Sequence, residues 1–155
     1  MAHMIRLYGW ASCQSCAFAL PLISLAHREN LVISVDVQIY SEKAAYSGII
    51  EEILNEYWGE QWKTYWRERG VPTPTIFVQL KKNSNWRLVR PDITLYVINE
   101  ISNYLYDNGG DKAVMMYLDS ETKLDSFFKS LLMELLSNTL ATDANRVPIF
   151  KTAVN

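Results

Sequence analysis

The sequence predicts a small α/β sandwich built as one domain with an appended segment, and three observations lead there. Apolar runs and helical patterns follow one another in the order strand, helix, strand, helix, strand, strand, helix. The two adjacent strands late in that series are separated only by a polar turn, as in a hairpin. Of the 155 residues, 49% are hydrophobic and only 6 are Gly and 5 Pro, enough apolar material and little enough punctuation for a proper core.

Each element has its own signal. "MIRLY" from Met4 is a β-branched and aromatic run that Gly9 ends. From Ser12, the expected N-cap, Ala17, Leu20, Leu22, Ile23 and Leu25 suit a helix, and Pro21 inside it is expected to kink the axis. "LVISVDVQIY", Leu31 to Tyr40, is apolar almost throughout, which predicts a central strand. Residues Ser41 to Arg69 form a long helical region with candidate breaks at Gly48 and Gly59; Trp58, Trp62 and Trp66 repeat on one face of it. "TPTIFVQL" is the third strand, "KKNSN" a turn and "WRLV" the hairpin partner. After Pro91 and Asp92, the residues Ile93, Val97, Ile98, Ile101 and Leu105 make the apolar face of a helix that "DNGG" stops. These elements define a domain over residues 4–108. Residues 111–155 form a C-terminal extension, in which Leu124, Phe127, Phe128, Leu131, Leu132, Leu135 and Leu136 give an amphipathic helix a wide apolar face. That face is expected to pack on the domain or at a homodimer interface.

Composition excludes several classes. A formal net charge of −2 and no long run of like charges give no footprint for nucleic acid. No segment has the apolar length of a membrane span. "AFALPLISLA" is apolar, but a strand-like run and a polar "SCQS" precede it rather than the basic leader of a secretory signal. The opening "MAHM" reads as a cloning remnant before a start at Met4, leaving His27 as the one native histidine. With two cysteines in all, too few to staple a domain of this size, the expected setting is the reducing cytoplasm.

Those two cysteines, Cys13 and Cys16, sit two residues apart at a strand-to-helix turn, where an α/β sheet exposes its functional edge. A dithiol there suits thiol exchange. The first sulfur meets the partial positive charge and free N–H groups of a helix N-terminus, which stabilise a thiolate. The second lies one turn on, placed to resolve a mixed disulfide. Cys13 is then the nucleophile and Cys16 the resolver. The spacing also admits two buried inert cysteines or a copper(I) site on two thiolates, whereas zinc lacks its four ligands.

Two motifs in order carry a resemblance. The strand, CxxC and Pro21 of "LYGWASCQSCAFALP", followed far downstream by "GVPTPTIFV", resemble the thioredoxin superfamily over Met4 to Tyr106, and the spacing from Tyr8 to Cys13 is similar to that of glutaredoxins. The resemblance implies a thioredoxin-like fold, a mixed four-stranded sheet flanked by helices. It implies that Pro74 is a cis-proline between Thr73 and Thr75, facing the CxxC and pairing with substrate backbone. It further implies a thiol–disulfide oxidoreductase acting on protein or small-molecule disulfides with an external reductant or oxidant, and needing neither metal nor bound cofactor.

The surroundings depart from the family. Gln14 and Ser15 separate the cysteines, Leu7 stands where thioredoxins place a buried acid, and Trp10-Ala11 and "VRPD" replace residues that serve glutathione in glutaredoxins. Direction of exchange therefore does not carry over. Trp10 reads as an aromatic wall beside Cys13 or as a core tryptophan. Arg90 and Asp92 are candidates to grip a small peptide, and Arg67 and Arg69 to bring positive charge near the site. A non-catalytic thioredoxin-fold module, binding a protein partner through the tryptophan stripe and the extension, is the alternative function.

Overall fold

In a computed structural model that describes residues 1–67, 70–119 and 125–154, the chain is α/β with a mixed sheet of five strands rather than four. The strands lie in the order β2-β1-β3-β4-β5. β1 (Ala2–Trp10) and β2 (Val32–Tyr40) are parallel and joined by α1 (Gln14–Arg28). β3 (Thr75–Gln79), β4 (Arg87–Val89) and β5 (Thr139–Ala141) continue the sheet antiparallel. Between β2 and β3 come α2 (Lys43–Tyr57) and a 3-10 helix, Gln61–Tyr65. α3 (Pro91–Asp107), α4 (Gly110–Leu118) and α5 (Ser126–Ser137) run between β4 and β5.

Local chemistry accounts for the ends. Pro91 opens α3 at a position where its missing N–H costs nothing, with Asp92 in the favourable first turn. Asp125 caps α5 by accepting the Phe128 N–H at 3.1 Å. The β3–β4 hairpin turns through Asn83 at φ 64°, a left-handed conformation that Asn tolerates.

Several expectations need correction. β1 starts at Ala2, which is buried, and passes through Gly9 to Trp10. Cys13, not Ser12, is the N-cap of α1; Ser12 lies in the preceding turn at φ 66°. α1 continues through Pro21. Of the two candidate breaks after Ser41, Gly48 lies within α2 while Gly59, at φ 56°, turns the chain from the end of α2 into the 3-10 helix, so the three tryptophans do not share a helical face. Arg69 and Leu124 lie outside the described residues. β2 is an edge strand, not a central one. Of its apolar run only Val32 and Tyr40 are fully buried, and Ile33 and Val37 are exposed, so the run does not mark a strand covered on all sides. The fifth strand was missed because "TLA" is too short to show a period.

The sheet separates two cores. One face carries Ile5, Leu7, Ile76, Val78 and Val89 against α1, α3 and α5, with Tyr117 of α4 among them. α5 thus buries Phe128, Leu131, Leu132 and Leu135 within its own chain. The other face is largely aromatic, Tyr8, Tyr40 and Phe77 meeting Tyr46, Trp58, Trp62 and Trp86. The C-terminal strand-less segment crosses this second face and inserts Phe150 beside Tyr8, Phe77 and Trp86. No helix among the described residues is long and apolar enough to cross a membrane.

Candidate functional site

Cys13 and Cys16 form a disulfide at the first turn of α1, with their Cα atoms 5.3 Å apart. The turn that presents them is fixed at both ends. Ala11 N–H donates to the Tyr40 carbonyl at 2.8 Å, tying the end of β1 to β2, and Cys13 N–H donates to the Trp10 carbonyl at 3.3 Å. Cys13 Sγ accepts the Cys16 N–H at 3.1 Å, taking the place of the serine or aspartate oxygen that usually caps a helix. The first sulfur therefore lies where the orphan N–H groups of α1 converge.

The two sulfurs are not equivalent. Cys13 is 8% exposed and Cys16 only 2%, so an incoming group meets Cys13 first. Cys16 lies against Gly9: a Cβ built on that glycine stands 2.8 Å from Cys16 Sγ and 3.1 Å from Cys16 Cβ. Gly9 is thus a site residue that sequence reasoning took only for the end of a strand. Its role is close approach, and no local pattern distinguishes that from punctuation.

The Thr73–Pro74 peptide bond is cis, and the strand register brings its loop to the same edge of the sheet as the disulfide. Tyr8, five residues before Cys13, pairs with Thr75, so the C-terminal end of β1 and the N-terminal end of β3 lie side by side. Pro74 and Thr75 are buried and Thr73 half-buried. A second residue overlooked in the sequence, Tyr46 of α2, holds this loop. Its hydroxyl donates to the Pro72 carbonyl at 2.5 Å and shares a hydrogen bond with Thr75 Oγ1 at 2.8 Å. Complete burial pushes the Tyr46 phenol well above its ordinary value, which keeps it a donor.

The remaining candidates are placed as follows. Trp10 ends β1 half-buried, its ring packed with the aromatic core and 5.9 Å from Lys43 Nζ; its bond to Cys13 is through backbone. Trp58 and Trp62 are core residues, 1% and 3% exposed, although Trp62 also lines a small surface pocket with Trp66. Arg90 is engaged with Asp92 through two hydrogen bonds, 2.8 and 3.2 Å, and lies 4.4 Å from the Tyr65 ring centre. The Asp92 bonds raise the Arg90 pKa further above its already high value. Beside this pair an open groove of about 800 Å³ runs between the 3-10 helix and α3, lined by Tyr65, Trp66, Arg67, Asp92 and Tyr96 among others. Neither cysteine lines it. Among the described residues no three His, Cys, Asp or Glu side chains converge as a metal site.

Compared with known proteins, the chain matches no protein-family model, no curated protein and no solved structure.

Proposed function

We propose that the protein is a thioredoxin-like thiol–disulfide oxidoreductase in which Cys13 exchanges with substrate and Cys16 resolves. The observation that carries this reading is the Cys13–Cys16 disulfide on the first turn of α1, with the outer sulfur accepting a helix N–H. The strand order β2-β1-β3-β4, with β1 and β2 parallel and the others antiparallel, supports the fold assignment, β5 being an addition to it.

In the reducing direction, the Cys13 thiolate attacks one sulfur of a substrate disulfide and expels the other as a thiolate. Cys16, deprotonated, then attacks the Cys13 sulfur of the mixed disulfide. The Cys13–Cys16 bond forms, and the second substrate sulfur leaves. Substrate gains two electrons and two protons; the protein dithiol loses them, and an external dithiol restores it. The same steps run backwards when a substrate dithiol meets the oxidised pair. The helix N-terminus favours Cys13 as attacking and leaving thiolate in both directions. The half-buried Thr73 and the loop around it offer backbone to an extended substrate strand.

The test is reduction of a protein disulfide with dithiothreitol as donor, alongside Cys13→Ser and Cys16→Ser. Native protein is expected to turn over, Cys13→Ser to be inactive, and Cys16→Ser to accumulate a mixed disulfide on Cys13. Alkylation of reduced Cys13 should show a midpoint below the ~8.5 of an ordinary cysteine. No turnover, together with an ordinary alkylation profile, sinks the proposal.

A further inference from the structure

We propose that a second copy of this chain pairs antiparallel with β2, joining two protomers into one continuous sheet. This goes beyond the redox reading and does not depend on it.

The two edges of the sheet are treated differently. β5 is three residues long, and side chains occupy its carbonyls: Trp58 Nε1–H donates to Leu140 at 2.9 Å and Gln61 Nε2–H to Ala141 at 2.9 Å. Such an edge is closed to a further strand. β2 is nine residues long, and among the described residues no strand takes its outer side. Ala2 N–H donates to the Leu31 carbonyl, which sets the alternation of the parallel ladder. Ile33, Val35 and Val37 therefore bond to β1, while Ser34, Asp36 and Gln38 turn N–H and C=O outward.

The usual guards of an open edge are missing. β2 holds no proline and no lysine. Its one charge, Asp36, is neutralised within the chain by Arg6, with Nε to Oδ2 2.9 Å, and accepts Gln38 Nε2–H at 3.0 Å. The C-terminal segment bonds to the strand through the Gln38 side chain, which accepts the Ala153 N–H at 2.8 Å.

The strand is also complementary to itself, and that selects a second copy as the occupant. With the two-fold axis at Val35, Ser34 of each copy faces Asp36 of the other and they exchange backbone bonds. Ile33 then faces Val37, twice. These are the two exposed apolar residues of the strand, at 53% and 39%, and each covers the other. An axis at Asp36 sets two carboxylates opposite each other. One at Val37 leaves Ile33 facing Ser41 beyond the strand. The observations therefore favour the Val35 register.

Sedimentation equilibrium of the native chain is expected to give twice the monomer mass. Ile33→Lys and Val37→Lys, both at exposed positions, should return it to monomer with unchanged circular dichroism and melting. In a Cys13→Ser/Cys16→Ser background, Val35→Cys should oxidise to a covalent dimer, because facing residues at that position lie about 4.5 Å apart at Cα; Val37→Cys should not. A native chain that stays monomeric up to its solubility limit overturns the proposal, as does a dimer that survives both lysines. Cross-linking through Asp36→Cys in place of Val35→Cys overturns the register.

Discussion

The two faces of the sheet are packed by different chemistry. The face under α1, α3 and α5 is mainly aliphatic, with Leu22, Ile23, Val97, Ile101 and Leu132 filling space between regular helices. Opposite, rings dominate, and three of their polar tips bond to backbone of segments that have few ladder bonds of their own, whereas the buried tips of Trp10, Trp62 and Tyr40 make no such bond. Trp58 holds β5, Tyr8 holds the C-terminal segment through the Lys151 carbonyl at 2.8 Å, and Tyr46 holds the Thr73–Pro74 loop. An aliphatic face needs only the right volume. An aromatic face can also fix irregular chain where a Tyr or Trp tip reaches a backbone acceptor that would otherwise be stranded, as Trp58, Tyr8 and Tyr46 do.

That comparison breaks most visibly at Trp58. Replacing it with Ala removes a ring 5.2 Å from Phe77 and strips the Leu140 carbonyl of its donor. The expected loss is about 3–5 kcal/mol, measured by urea unfolding, and it should exceed that of Leu22→Ala on the aliphatic face. If Leu22→Ala costs more, the bonds made by the ring tips add little and the contrast between faces is one of volume alone. Next comes Gly9→Ala, where the new methyl meets Cys16 Sγ at 2.8 Å. Overpacking there should cost about 1–3 kcal/mol in the oxidised protein, read from the same kind of unfolding curve.

Tyr46→Phe tests the loop contact on a smaller scale. Without the phenol, Thr75 Oγ1–H, 3.1 Å from the Pro72 carbonyl, can donate to it instead of to Tyr46, so the carbonyl keeps one partner. The expected cost is then about 1 kcal/mol, and under the proposed function, in which this loop receives the substrate strand, disulfide exchange should fall by a larger fraction than Cys13 alkylation. The pH dependence has a definite sign. Burial raises the folded pKa of Tyr46, and of Tyr117 on the other face, above the ordinary 10.0. Their contribution is complete below pH 10 and declines as pH rises from there towards the folded values. Alkaline unfolding should therefore begin above pH 10 in the native chain, and Tyr46→Phe should flatten that fall.

The aliphatic face was also the readable one. Periodicity placed α1 and α3 because one face of each meets a flat sheet, and Val97, Ile98, Ile101 and Leu105 are buried as their spacing requires. The cysteine pair was legible because its residue types are rare and its place at a strand-to-helix turn is local. Contacts made across the chain left no such trace. Tyr46 meets Pro72 across 26 residues, and Phe150 meets Tyr8 across the whole domain. Gly9 faces Cys16 through space, which only the approach of α1 to β1 reveals. β2 misled for a related reason: its apolar run includes Ile33 and Val37, which the fold leaves exposed, and a strand pattern says nothing of which edges are occupied.

The smallest effect separates what holds the C-terminal segment from what merely accompanies it. Arg146 Nη2 pairs with Glu56 Oε1 at 2.9 Å and Lys151 Nζ with Glu52 Oε1 at 3.4 Å, but all four side chains are about half exposed. Water screens such pairs, so Arg146→Ala should cost about 0.2–1 kcal/mol, and less still at high salt. The same guanidinium also donates to the Glu56 carbonyl at 2.7 Å and lies 4.8 Å from the Tyr57 ring centre, so Glu56→Gln should lose even less than Arg146→Ala. Phe150 is the anchor by this argument: it touches three rings and sits 4.5 Å from the Arg6 guanidinium. A double-mutant cycle of Arg146 with Glu56, set beside Phe150→Ala, decides the point. If the ion pair couples more strongly than Phe150→Ala destabilises, the segment is held by charge, and the aromatic face is not the adhesive surface it is taken for.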